Sequence, residues 1–239
     1  MIGNIAKRTS IGALLLMIMP VLVWVSGWRW QPEREFRWMK EFYWLTQPIT
    51  SFSVRSCVLF EALLIAWLIW CLRYRLKSAI CLTLIITMTL LIGQGIKYVI
   101  KDLVQEDRPF VVWLGERSNL DPKTFYAMPL QARKKVVAEI LHGQEDIIPL
   151  WLQNHWCEET SLSFPSGHTI FAASFALFAI GLQLPLLVVV VLMLWACLVI
   201  SSRLALGMHW PHDIIMGVVI SLLLIPFACL LVRSLDSRC

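Results

Sequence analysis

The sequence predicts an all-α integral membrane protein, with six transmembrane helices and a long helical periplasmic loop between the third and fourth spans. Three observations carry this. Of 239 residues, 58% are hydrophobic and only 15% charged, with mean hydropathy +0.70, whereas soluble domains are nearer half apolar and a quarter charged. Six apolar runs approach or exceed the ~18 residues that cross a ~30 Å hydrocarbon core. Twelve tryptophans fit the aromatic belts of membrane–water interfaces.

The spans fall at about 11–28, 54–72, 78–99, 168–182, 185–201 and 214–232, in one domain covering 1–239. The first is too long for a signal peptide and is followed by Trp28, Arg29 and Trp30 rather than a small-residue cleavage site, so it reads as a retained anchor. The fourth and fifth are short and share the hinge "GLQLP", which reads as a tight helical hairpin. Basic residues orient the set. Lys7 and Arg8 precede the first span, Arg73, Arg75 and Lys77 join the second to the third, and Arg233 and Arg238 follow the sixth. With six spans these share one side, the cytoplasmic one, and both termini lie there. The first loop mixes Arg29, Arg34, Arg37 and Lys40 with Glu33, Glu35 and Glu41, and the loop at about 100–167 holds more acids than bases. Both face outward with the last loop, 202–213.

The net charge of +5 is spread thinly, with no basic run longer than "RKK" at 133–135, so nucleic acid is not an expected partner. The seven cysteines, Cys57, Cys71, Cys81, Cys157, Cys197, Cys229 and Cys239, form no C-x-x-C pair and read as small apolar filler. In the long loop, "LQARKKVVAEILHG" spaces Leu130, Val136, Val137, Ile140 and Leu141 as an amphipathic helix does. It reads either as lying on the outer leaflet near Trp151 and Trp156 or as an ordinary surface helix packed on the bundle.

Three polar clusters end at the outer face. "KDLVQEDRP" follows the third span and carries Lys101 and Arg108; "PSGH" opens the fourth; "SRLALGMHWPHD" links the fifth and sixth. Lys101 alone reads as a snorkelling cation. Lys101, Arg108 and Arg203 converging with histidines read as an anion site, because unpaired charge beside lipid is costly and the guanidinium fork suits phosphate oxygens. Ser166 is a good N-cap and Pro165 cannot continue a helix backwards, so Gly167 and His168 begin a helix whose free N–H groups and dipole favour an anion. Gly167 permits close approach to the backbone. In "HWPHD", Pro211 suits the first helical turn and Asp213 can reach back as in a capping box. There it either only caps the helix or holds the ring of His209, fixing its tautomer and sharpening the other nitrogen as nucleophile or base. His212 has no evident partner and reads either as solvated or as supporting the residues of the site from behind. Charge neutralisation, a nucleophile and a proton donor are what phosphoryl transfer needs.

Lys101-x6-Arg108-Pro109, the PSGH of residues 165–168, and Ser202-Arg203-x5-His209-x3-Asp213 resemble the three-part signature of the type 2 phosphatidic acid phosphatase superfamily in order, spacing and span placement. The three motifs bracket residues 101–213, and the six-span layout extends the likeness to the whole chain. The resemblance implies catalytic roles for His209, His168 and Asp213: a phosphohistidine nucleophile, a general acid and an orienting carboxylate. It implies phosphate binding by Lys101, Arg108, Ser166, Gly167 and Arg203, with no metal and no cofactor. It implies lipid phosphates as substrates, among them phosphatidylglycerophosphate, phosphatidic acid, lysophosphatidic acid, diacylglycerol pyrophosphate and undecaprenyl pyrophosphate. A bacterial inner membrane with the site facing the periplasm is the expected location. Asp107 reads as a possible ion-pair partner that would soften the cationic pocket, and Glu61, inside the second span, as structurally paired or shallow. The rival readings are a metal hydrolase with His168, His209, His212 and Asp213 as ligands and a non-catalytic lipid-phosphate binder or transporter.

Overall fold

The structure is a computed structural model that describes residues 2–32, 40–41, 43 and 54–236, without the side chains of 54–57 and 236. The expectations for Glu33, Arg34, Glu35, Arg37, Arg238 and Cys239, and for the Cys57 side chain, lie outside the described residues. The described residues are helical, without strands. In chain order the helices are α1 (Ile2–Val25), α2 (Val54–Leu72), α3 (Leu76–Val104), α4 (Pro109–Ser118), α5 (Pro122–Ala127), α6 (Leu130–Leu141), α7 (Leu150–Glu158), α8 (Gly167–Gly181), α9 (Leu186–Ala205) and α10 (Pro211–Asp236).

Among the described residues, four stretches are long and apolar enough to cross a membrane: Ile2–Val25, Leu76–Ser118, Leu186–Ala205 and Pro211–Leu235. Val58–Leu72 and Gly167–Gly181 are shorter apolar helices. Leu14, Leu63, Leu84, Leu91, Leu194, Leu223 and Phe227 point outward from the bundle. Helices apolar on both their packed and outer faces suit lipid rather than water, and the chain is a multi-pass membrane protein.

α8 is the axis of the bundle and packs against α1, α3, α9 and α10. Its 15 residues rise only ~22 Å, and twelve of them are buried. The length follows from its surroundings: a helix enclosed by others needs no lipid-matched span. Ala172, Ala173, Ala176 and Ala179 on α8 are fully buried, and small residues let membrane helices approach closely where lipid supplies no hydrophobic drive. Gly217 on α10 does the same near the α8 N-terminus. A Cβ there would lie 2.9 Å from Thr169 Cβ and 3.0 Å from the Ser166 carbonyl oxygen, so only glycine brings α10 this near to the start of α8.

A second core lies apart from the bundle core. It gathers Trp30, Tyr43, Phe110, Trp113, Phe125, Val137, Leu141, Leu152, Trp156, Leu206 and Met208. Trp156 is its centre: it stacks on Phe110 at 5.0 Å and 12°, and meets Trp30 edge-on at 5.6 Å. The amphipathic α6 buries Val137 and Leu141 here and packs on α7. The apolar face read from the sequence therefore covers this second core rather than the bundle. The core also fixes the segments that carry the polar motifs. Trp30 Nε1 donates to the Ala205 carbonyl at 2.9 Å and Trp156 Nε1 to the Leu206 carbonyl at 3.0 Å.

Candidate active site

Backbone hydrogen bonds stitch the three polar motifs together. Phe110 N donates to the Gly207 carbonyl (3.0 Å), Ser163 N to the Glu106 carbonyl (2.8 Å), and Ser166 N to the Asp213 carbonyl (3.1 Å). Trp210 Nε1 donates to the Asp107 carbonyl at 2.8 Å. Segments about fifty to a hundred residues apart thus share one framework of hydrogen bonds to backbone, which holds side chains more tightly than exposed loops do.

The framework opens on a cavity of about 500 Å³ lined by Lys101, Arg108, Gly167, His168 and His209 from the motifs, by Glu159 and Ser161, and by Gln94, Lys97 and Glu61. Its remaining wall is largely apolar, with Val58, Leu90, Leu91 and Phe171. Three sequence candidates, Ser166, Arg203 and Asp213, are fully buried behind this surface and do not line it.

Asp213 serves both roles left open by the sequence. Its Oδ2 accepts from Trp210 N at 2.9 Å, the backward reach of a cap, and lies 3.1 Å from His209 Nδ1. Ser163 Oγ donates to the same oxygen. With Nδ1 carrying the hydrogen toward Asp213, Nε2 of His209 is left with its lone pair. His209 N and Met208 N both donate to the Arg203 carbonyl, at 3.2 and 3.0 Å, so the turn after α9 sets the ring's height. Burial, then the charges of Arg108 and Lys101, hold the His209 imidazole well below its usual pKa. It is the neutral, nucleophilic form that this place favours.

His168 differs. Ser166 caps α8, accepting from Thr169 N at 3.4 Å, and His168 sits in the first turn. Its Nε2 is buried and makes no hydrogen bond among the described residues. Gly167 has Lys97 and Gln94 packed against it. A Cβ there would come within 2.9 Å of Lys97 Cδ and 3.1 Å of Gln94 Oε1, while Gln94 Nε2 donates to the Gly167 carbonyl at 3.2 Å.

The cations are already partly satisfied. Arg108 is 2% exposed. It donates through Nε to the Ser161 carbonyl (2.5 Å), through Nη1 to the Met208 carbonyl (3.1 Å), and through Nη2 to Ser161 Oγ (2.9 Å) and Glu159 Oε2 (3.2 Å). The acid that tempers the pocket is Glu159, not Asp107, whose carbonyl is what Trp210 engages. Lys101 Nζ donates to the Leu162 carbonyl and sits 3.4 Å from Ser161 Oγ. Behind Arg108, its backbone N donates to the Tyr126 hydroxyl at 3.2 Å, and burial pushes that phenol up to about 12. His155, edge-on to Tyr43, is held well below its usual pKa by burial.

Of the two readings left for His212, the structure favours the supporting one over the solvated one: its Nε2 lies 2.7 Å from Glu106 Oε1 and 3.4 Å from Asp213 Oδ1. The metal reading needs correction. The four residues of the metal reading do not form one ligand set. Among the described residues, Glu106, His212 and Asp213 bring ligand atoms within 4.8 Å of one another, without His168 or His209. Glu61 is paired, accepting from Thr87 Oγ1 at 2.9 Å, and it also lines the cavity. Sequence reasoning missed Lys97, Gln94, Glu159, Ser161 and Ser163. Lys97 had a signal, since it stands one helical turn before Lys101 and shares its face. The other four had none beyond being polar near a motif.

This arrangement can be set beside known proteins. The PAP2 superfamily pattern matches residues 78–235. Phosphatidylglycerophosphatase B of Escherichia coli strain K12 is 44% identical over 235 residues, covering 97% of this chain and 91% of that protein. Phosphatidylglycerophosphatase B of Haemophilus influenzae is 33% identical over 230 residues, covering 91% and 92%. The polar framework that joins residues 101–109, 163–168 and 202–213 lies wholly inside the matched region, and the chain belongs to the PAP2 superfamily.

Proposed function

We propose that this protein is a lipid phosphatase that hydrolyses a terminal phosphate from phosphatidylglycerophosphate, phosphatidic acid and undecaprenyl pyrophosphate type lipids through a phosphohistidine. The relatives named phosphatidylglycerophosphatase B support a hydrolase of lipid phosphates. The observation that carries the reading is the pair of histidines on one cavity with Lys101 and Arg108, His209 held by Asp213 at 3.1 Å. His209 Nε2 attacks phosphorus, the bond to the lipid oxygen breaks, and His168 gives that oxygen its proton. Water then attacks the phosphohistidine while His168 takes a proton from it, releasing phosphate and restoring His209. Lys101, Arg108 and the Gly167 amide neutralise and orient the phosphate. Arg203 and Ser166, buried behind the surface, contribute through the field and the cap.

The reading includes one six-span domain with both termini cytoplasmic and the site at the outer, periplasmic face of a bacterial inner membrane. The large apolar wall beside a polar end suits a substrate with acyl or isoprenoid tails rather than a soluble phosphate. Such an activity serves phospholipid synthesis and recycling of a cell-wall lipid carrier.

The test is phosphate release by purified protein in detergent from phosphatidylglycerophosphate and undecaprenyl pyrophosphate, with and without EDTA and vanadate. Release that survives EDTA and is blocked by vanadate is expected. Loss on chelation with rescue by one metal would replace this reading with a metal hydrolase, and no release from any lipid phosphate would leave a binder.

A further inference from the structure

We infer that His212, clamped by Glu106, is a positioning residue that keeps Asp213 ionised and aimed at His209, extending the His209–Asp213 pair to a four-member relay. This rests on the phosphatase reading above. Each Asp213 oxygen has its own set of neighbours. Oδ2 takes Trp210 N, Ser163 Oγ and His209 Nδ1, while Oδ1 is buried, makes no hydrogen bond among the described residues, and has the His212 Nε2 at ion-pair distance, 3.4 Å. A fully buried carboxylate is stable as an anion only if both oxygens see positive charge or donors. His212 supplies that for Oδ1. Its Nε2 sits between two carboxylates, 2.7 Å from Glu106 and 3.4 Å from Asp213, which favours the charged, proton-bearing ring.

The ring is also held sterically. It lies against Phe164, centroids 5.9 Å apart, and Trp24 of α1 at 6.2 Å. Among the described residues, the titratable and charged groups facing it are Glu106 from the segment after α3 and Asp213 from its own helix, and the rest of the ring meets these two aromatic side chains and solvent. The main chain that carries Glu106 is fixed in turn, because its backbone carbonyl accepts from Ser163 N at 2.8 Å. One acid therefore connects the segment after α3, the turn before α8 and the start of α10. Turning the carboxylate plane of Asp213 away from His209 would cost His209 its tautomer, and the His212 ring 3.4 Å from Oδ1 opposes that turn.

The experiment measures kcat and KM for lipid phosphate hydrolysis by full-length protein in detergent, with EDTA and separately with added Zn²⁺ or Mg²⁺. The variants are His212→Ala, His212→Arg, Glu106→Gln and the Glu106→Gln/His212→Ala double, with His209→Ala as control. His212→Ala should lower kcat about 10- to 100-fold, the scale of a small misplacement of a catalytic group, with KM within about twofold. His212→Arg, a permanent cation, should recover most of it. Glu106→Gln should lower kcat less, and the double should be no worse than His212→Ala, as members of one unit behave. Should His212→Ala fold poorly, the half-exposed Glu106→Gln carries the test. Full kcat in His212→Ala, a loss confined to KM, multiplying losses in the double, or an Arg variant as weak as Ala would each overturn the inference. A defect seen only with added divalent cation would overturn it in favour of a cation site at Glu106, His212 and Asp213. An active His209→Ala would instead sink the phosphohistidine reading itself.

Discussion

Two histidines face one cavity, and the chain treats them oppositely. His209 stands in a turn whose backbone is tied to the Arg203 carbonyl, and its Nδ1 is held by a carboxylate that is itself held by Trp210 and Ser163. His168 stands on the first turn of the most enclosed helix, yet its Nε2 has no hydrogen-bond partner among the described residues. A group that must attack along one line gains from being locked beforehand, since alignment is a large part of its rate. A group that must meet a substrate oxygen gains from keeping its nitrogen uncommitted until that oxygen arrives, because every protein bond made earlier would have to be broken. The contrast suggests which ring is nucleophile and which is acid.

The contrast is broken most severely by His209→Ala. We expect hydrolysis to fall by about four orders of magnitude, with secondary structure and melting temperature unchanged; full activity would end the assignment. Asp213→Asn keeps the shape and removes the charge that selects the tautomer, so kcat should fall about 10³-fold. An Asn variant within a few-fold of wild type would mean that Asp213 only caps α10. His168→Ala should cost about 10²-fold with a lipid alkoxide leaving group and far less with an aryl phosphate whose leaving group needs no proton. Equal losses on both substrates would contradict its role as acid. The smallest signal is in pH. Burial and neighbouring cations lower the His209 pKa, so the neutral nucleophile persists below pH 6.5, and the acid limb of kcat/KM due to this group should lie below that value. A wild-type acid limb already falling through pH 7, and still present in His168→Ala, would reverse the sign of the argument.

Much of this was legible because it is local. Helix placement followed from apolar runs: the sixth, read at about 214–232, is the interior of Pro211–Asp236, and the third is the interior of Leu76–Val104. The four-residue spacing of His209 and Asp213 puts both in the turn that opens α10, and the cap geometry followed from Pro211. Lys101, Arg108, Gly167, His168 and His209 do share a cavity. What was not legible depends on partners far along the chain. The Arg108 counter-charge comes from Glu159, fifty-one residues away, rather than from adjacent Asp107. Ser163 reaches Asp213 across fifty residues, and Glu106 reaches His212 across 106.

The sequence by itself determined that this chain lies in lipid, roughly where its long apolar helices run, and which three polar motifs to look for, although the first helix, read at about 11–28, spans Ile2–Val25. Composition, periodicity and capping act within one or two turns, so one chain is enough to read them. Only the tertiary structure decided which imidazole is clamped and which is open, that Arg203 and Ser166 stand behind the cavity rather than in it, and that an aromatic core around Trp156 aligns the first motif with the third. Those outcomes are set by burial and by hydrogen bonds between distant segments. In a low-dielectric interior each buried donor or charge takes whichever partner packing brings within about 3 Å.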